Sequence, residues 1–174
     1  KRQILQEVHA FAHKASSIAL QEEHDIIHAH DWTSYLAGVA AKKASGKPLI
    51  LHVHATSFDQ AAAENVDPEI YAIERESFAA ADTVVTVSQY TKDMIVSRHA
   101  VPADKVVVVH NGCDTHEPPK YEPTLQELRK NGTKIVLYHG RITIQKGVDY
   151  FVKAAKRVLD CLLYTSDAAD DWSS

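Results

Sequence analysis

Arg141 and Lys146 are two cations in a glycine-punctuated stretch from Leu137 to Gly147. An apolar run, Ile135 to Tyr138, stops at Gly140, and a helical pattern opens at Val148. Strand, glycine turn with two cations, then helix start is an arrangement that can hold a phosphate or diphosphate. A helix N-terminus offers unpaired N–H groups and the positive end of the dipole. Arg141 would add a planar fork and Lys146 a point charge. A plain strand–loop–helix joint with two solvated cations fits the same residues, and this stretch alone leaves both open.

Imidazoles form the second group. His28 and His30 are two apart in one apolar run, and His52 and His54 repeat the spacing in another. On strands, each pair points to one face. If the two strands are neighbours, four imidazoles meet and could ligate Zn²⁺ or another transition metal, an arrangement also found in metal-dependent hydrolases. Against that, no carboxylate or cysteine is spaced to complete a site. The alternatives are that His28 and His52 are core residues, or that only His30 and His54 reach a polar site. Asp59 suits a hydroxylated ligand or ordinary turn chemistry. Glu74, Arg75 and Glu76 are expected on a solvated helix face. Cys113 has no base near it in sequence and is expected to act as a small apolar residue.

These groups need elements to hold them. Apolar spacings of three and four over Ile4 to Leu20 predict a helix. Asp25 to Asp31 is a predicted strand, Trp32 to Ala44 a helix stopped by Gly46 and Pro48, and Pro48 to His54 a second strand. Ala55 to Asp67 has no clean period and is expected as a loop. Pro68 to Ala81 is a predicted helix with proline in its first turn. Thr83 to Val87 is a third strand, and Ser88 caps a helix to about His99. Lys105 to Val109 is a fourth strand. Leu125 to Lys130, Lys134 to Tyr138 and Val148 to Leu159 are a predicted short helix, fifth strand and helix. Alternating strands and helices predict an α/β fold, a Rossmann-like doubly wound parallel sheet covered on both faces. Polar residues fall at the strands' carboxyl ends, where such sheets bind ligands.

The 174 residues carry a net charge of −4 and are 45% hydrophobic and 24% charged. That balance suits a soluble domain and gives no electrostatic footprint for nucleic acid. No apolar run approaches a membrane span, and no signal peptide opens the chain. Two cysteines, Cys113 and Cys161, argue for a reducing compartment, and a cytoplasmic location is expected. Residues 1–113 are expected to form a first domain, incomplete at its start, because Lys1 already stands in helical phase. Residues 114–133, with Pro118, Pro119 and Pro123, are expected as a linker. Residues 134–160 would begin a second domain. Residues 161–174 resemble translated sequencing-adapter read-through and are expected to be a non-native tail.

Taken in order, these residues resemble the family 4 (group 1) glycosyltransferases of the GT-B fold. The matching pieces are Asp25 to Asp31, His52 to Thr56, and Glu74 to Glu76 running into Ala80 to Asp82. Val85 to Ser88, Val108 to Asp114, and Gly140 and Arg141 with Lys146 and Gly147 complete the set. His30, Asp31 and Trp32 are also similar to the related starch and glycogen synthases.

The resemblance implies two Rossmann-like domains, the first mostly for the acceptor and the second mostly for a nucleotide-diphosphate sugar donor. It implies transfer with retention of configuration and no need for a divalent metal or other cofactor. Arg141 and Lys146, with Gly140 and Gly147, match the residues that grip the donor diphosphate. His54 matches the histidine that reaches the donor sugar. His30, Asp31 and Asp59 would lie on the side of a carbohydrate or other hydroxylated acceptor. The family's N-terminal glycine loop would precede Lys1, and its paired glutamates would follow the last native residue. The chain alone is therefore expected to be inactive, while the whole protein leaves room for peripheral membrane contact. Competing readings are a nucleotide-sugar 2-epimerase, a starch or glycogen synthase-like enzyme, a metal-dependent hydrolase using the two His-x-His pairs, and a non-catalytic sugar-binding module.

Overall fold

A computed structural model of the chain describes residues 2–61, 66–113, 123–132, 134–143 and 146–170. The chain divides into two units, Lys1–Cys113 and Asp114–Ser174. The first contains α1 (Arg2–Gln21), β1 (Ile27–His30), α2 (Trp32–Ser45), β2 (Leu49–Val53) and α3 (Ser57–Gln60). It continues with α4 (Pro68–Ala80), β3 (Thr83–Thr86), α5 (Gln89–Arg98), a 3₁₀ turn (Ala103–Lys105) and β4 (Val106–Val108).

The helices start and stop where local chemistry dictates. Gly46, at φ 73°, takes the left-handed conformation that ends α2, and its N–H donates to Lys42 O at 2.8 Å. Asp67 caps α4 ahead of Pro68, and Ser88 Oγ accepts from Thr91 N at 3.1 Å to open α5.

All four strands are parallel, in the order β1-β2-β3-β4. The α/β class and parallel, Rossmann-like sheet are as expected. Right-handed crossovers that always step the same way place α2, α4 and α5 on one face. Leu49, Leu51, Val53, Val84 and Val106 point to that face and pack with Tyr35, Phe78 and Ile95. The intervening residues Ile50, His52 and Val85 are half-buried, and His28, His30 and Val107 are exposed. A reversal of strand order, which makes a sheet doubly wound, does not occur among the described strands.

Gly38 fixes how closely α2 sits on the sheet. A Cβ there would stand 2.9 Å from both Ala29 Cβ and Leu49 Cδ1. Lys42 on α2 then ties two elements together. Its Nζ donates to Ala80 O at 2.9 Å and to Asp82 at 2.8 Å, and Asp82 Oδ2 also accepts from Leu49 N at 2.7 Å. The Lys42 hydrogen bond, followed by that of Leu49, holds the Asp82 carboxyl below its ordinary range.

The second unit contains α6 (Pro123–Lys130) and α7 (Val148–Asp170). Two expectations change here. Among the described residues, 134–138 form no strand, because a strand needs a hydrogen-bonded neighbour and none pairs with this run. Val136 and Leu137 are 77% and 80% exposed. The last helix does not stop near Leu159 but continues to Asp170. Most of the expected linker, residues 114–122, and residues 171–174 lie outside the described residues.

Candidate functional site

Parallel pairing sets His30 opposite His52 and His28 opposite Ile50. The two strands are therefore neighbours, and the four imidazoles form one cluster. His30 Nδ1 lies 3.1 Å from His54 Nε2. His52 stacks on His54 with ring centroids 4.5 Å apart, and His28 stacks on His52 at 5.4 Å. His28 and His30 are exposed rather than buried in a core, and His52 is half-buried. Burial, followed by the charges of its histidine neighbours, lowers the pKa of His28 and of His52. These two imidazoles therefore favour the neutral form.

Asp31 organises the carboxyl ends of both strands. Its Oδ1 accepts from His54 N at 2.8 Å and Ala55 N at 3.4 Å, and its own N–H donates to His52 O at 2.9 Å. Its backbone, at φ 57° and ψ 166°, lies in a region that is close to glycine-only. Such a conformation costs roughly 1–3 kcal/mol and persists only where the surroundings over-determine it. Asp31 stands at the N-cap of α2, yet its side chain makes no capping hydrogen bond and is turned to the segment carrying His54. His30, Asp31 and His54 thus meet at one place.

The segment after His54 is not the plain loop expected. Thr56 and Asp59 form a capping box around α3: Asp59 Oδ2 accepts from Thr56 N at 2.7 Å and Thr56 Oγ1 at 2.9 Å, and Thr56 Oγ1 accepts from Asp59 N. Asp59 thus holds the shape of the segment through Oδ2.

Glu74 was expected in solvent and is instead 1% exposed. Ser57 N donates to its Oε1 at 2.8 Å, and Ser57 Oγ to its Oε2. Burial pushes Glu74 up to about 7, against the two Ser57 hydrogen bonds, which pull it down. His99 Nε2 lies 3.5 Å from Glu74 Oε2, inside a cage of Phe58, Tyr71 and Phe78 rings, and burial pushes this imidazole down to about 4. Glu74 therefore anchors the segment that begins at His54 to α4. The sequence did hold a signal, since Ile73, Glu74, Ser77 and Phe78 share the inner face of the helix.

Gly140, Arg141, Lys146 and Gly147 belong to the second unit. Arg141 and Lys146 are both exposed. Tyr138 Oη donates to Arg141 O at 3.0 Å, and Lys146 N donates to Thr143 O at 3.1 Å. Gly147, at φ 60°, turns the chain into α7, and its carbonyl accepts from Phe151 N at 3.1 Å. The two cations therefore precede a helix start, as the sequence implies. Ile144 and Gln145 lie outside the described residues. Cys113, expected to act as a small apolar residue, is exposed, as is Cys161.

Comparison with known proteins gives this geometry a context. The family model described as Glycosyltransferase Family 4 matches residues 2–117. An uncharacterised glycosyltransferase of Methanocaldococcus jannaschii is 30% identical over 148 residues, covering 80% of this chain and 38% of the relative. An alpha-maltose-1-phosphate synthase of Mycolicibacterium smegmatis is 36% identical over 143 residues, covering 76% of this chain and 37% of the relative. A D-inositol 3-phosphate glycosyltransferase of Catenulispora acidiphila is 26% identical, covering 79% and 35%. The chain thus spans little more than a third of the length of these relatives. With the model matching well over half of its residues, the chain belongs to glycosyltransferase family 4.

Proposed function

We propose that the protein containing this chain transfers a sugar from a nucleotide-diphosphate sugar to a hydroxylated acceptor, with retention of configuration. The observation that carries this is the meeting of His30, Asp31 and His54 at the carboxyl ends of β1 and β2 in a chain of this family. In the reaction, the bond between the anomeric carbon and the diphosphate oxygen breaks. The diphosphate leaves with the bonding pair, the acceptor hydroxyl oxygen bonds the same carbon, and the hydroxyl proton ends on the released diphosphate or in solvent.

His54 would hydrogen-bond the donor sugar and hold it in register with the acceptor. Its backbone is fixed by Asp31, and its following segment by Glu74. His30 and Asp31 would face the acceptor, with Asp59 shaping the segment beside them. Arg141 and Lys146, with Gly140 and Gly147 at the start of α7, would bind the diphosphate and stabilise charge on the leaving group. The transfer itself would need no divalent metal, and the protein would act in the cytoplasm. The 174-residue chain by itself would not turn over a donor.

The test uses a full-length protein containing this chain, UDP-, GDP- and ADP-linked hexoses, and a panel of sugar and cyclitol acceptors. Acceptor-dependent release of nucleotide diphosphate, with the donor's anomeric configuration in the product by NMR, supports the proposal. Release that ignores the acceptor and yields an epimerised sugar favours the epimerase instead. Absence of turnover with every pair overturns the proposal.

A further inference from the structure

We propose that His28, His30 and His52 form a binding site for one divalent transition-metal ion, of the imidazole-preferring kind exemplified by Zn²⁺, on the open face of the sheet. One ring nitrogen of each lies within 4.8 Å of the others. The arrangement is built by the fold: His28 and His30 are two apart on β1, and the parallel register sets His52 of β2 opposite His30. The three ring centroids are 4.4, 4.9 and 5.4 Å apart.

The donor set selects the ion. Three imidazoles with no carboxylate among them suit Zn²⁺, Cu²⁺ or Ni²⁺ and disfavour Mg²⁺ and Ca²⁺, which need oxygen ligands. His52 is the most telling member. Both its ring nitrogens are shielded from solvent, and neither has a hydrogen-bond partner among the described residues. A shielded polar atom left in that state costs about 1–3 kcal/mol, and a metal bond relieves the cost for one of the two. His30 also meets His54 at 3.1 Å, an outer hydrogen bond of the kind that orients metal-ligating imidazoles. Tetrahedral Zn²⁺, with Zn–N bonds of about 2.0–2.1 Å, holds its nitrogens about 3.3 Å apart. The site therefore closes by rotation of the two exposed rings, His28 and His30, and a fourth position remains for water. This inference concerns binding and does not rest on the proposed transfer reaction.

The experiment titrates the metal-free 174-residue chain with Zn²⁺ by calorimetry and with Co²⁺ by visible absorption. One ion per chain, micromolar or tighter affinity, and the visible bands of tetrahedral Co²⁺ are expected. His28→Ala and His52→Ala should each weaken binding by at least about tenfold. His28 is exposed, so its variant carries the test if His52→Ala does not fold. The rival ligands are His9 and His13, exposed and one turn apart on α1. A His9→Ala/His13→Ala double variant should bind as the parent does. Binding that disappears in that double variant, binding unchanged in His28→Ala, or no stoichiometric binding at all overturns the proposal.

Discussion

The backbone N–H of His54 donates to Asp31 Oδ1 at 2.8 Å, across the carboxyl ends of two neighbouring strands. Through this hydrogen bond, a residue held in an unfavourable backbone conformation fixes where the histidine begins. Position and strain are thus linked at Asp31, and substitutions there can separate the two.

Asp31→Ala removes the carboxylate and keeps the unfavourable φ, so it should destabilise the chain by about 1–3 kcal/mol. Asp31→Gly loses the same hydrogen bonds but relieves the backbone. It should therefore be more stable than Asp31→Ala by roughly 1 kcal/mol. Urea melts of both variants check this, and equal midpoints would show that the φ of 57° carries no strain.

Gly38→Ala should destabilise by about 1–3 kcal/mol through overpacking. The added methyl would meet Ala29 Cβ and Leu49 Cδ1 at 2.9 Å. Ala29 cannot rotate away, so either α2 lifts or β1 shifts. Thermal melting of the variant is the measurement, and an unchanged midpoint would contradict the packing described.

Glu74 and His99 give opposite pH dependences. Glu74 is raised from 4.5 to about 7, so the folded state holds an extra proton between those values and stability falls as pH rises through them. His99 is lowered from 6.5 to about 4, so its contribution is lost as pH falls through that range. The two slopes oppose each other between pH 4.5 and 6.5, so these two contributions largely cancel there. His99→Phe removes one slope. Relative to the parent at each pH, its melting temperature should fall as pH rises from 4 to 6.5, and a constant difference would show that burial does not shift His99.

In a full-length protein containing this chain, Arg141→Ala and Lys146→Ala should each lower kcat/KM for the donor by about 10²-fold. Steady-state kinetics at several donor concentrations checks this. His54→Ala should lower kcat more than it raises KM, because its proposed role is positioning during transfer. Wild-type kinetics in all three variants would detach these residues from the reaction.

The first unit was largely legible in the sequence because its signals are local. Apolar spacing marked the helices, and Gly46, Pro68 and Ser88 marked their ends, each within a few residues of the structure. The histidine cluster was legible only in part. His-x-His spacing set each pair on one face, but strand adjacency depends on topology. The Thr56–Asp59 capping box was missed because a four-residue helix has no period to detect. Glu74 was misplaced because charge outweighed its position on the helix, and only the partner, Ser57, seventeen residues earlier in the chain, explains its burial. The strand expected at 134–138 followed from composition, but composition cannot supply a pairing neighbour.

The close seat of Gly38 has a consequence for motion. With no gap between α2 and the two histidine strands, helix and strands are coupled into one plate. Asp31 clamps the backbone of His54 to the edge of that plate. The imidazole of His54, itself exposed, is held in turn by His30 Nδ1 at 3.1 Å and by stacking on His52 at 4.5 Å. A ligand arriving at these strand ends meets a preset backbone, and it reaches the His54 ring by replacing neighbours that are themselves imidazoles.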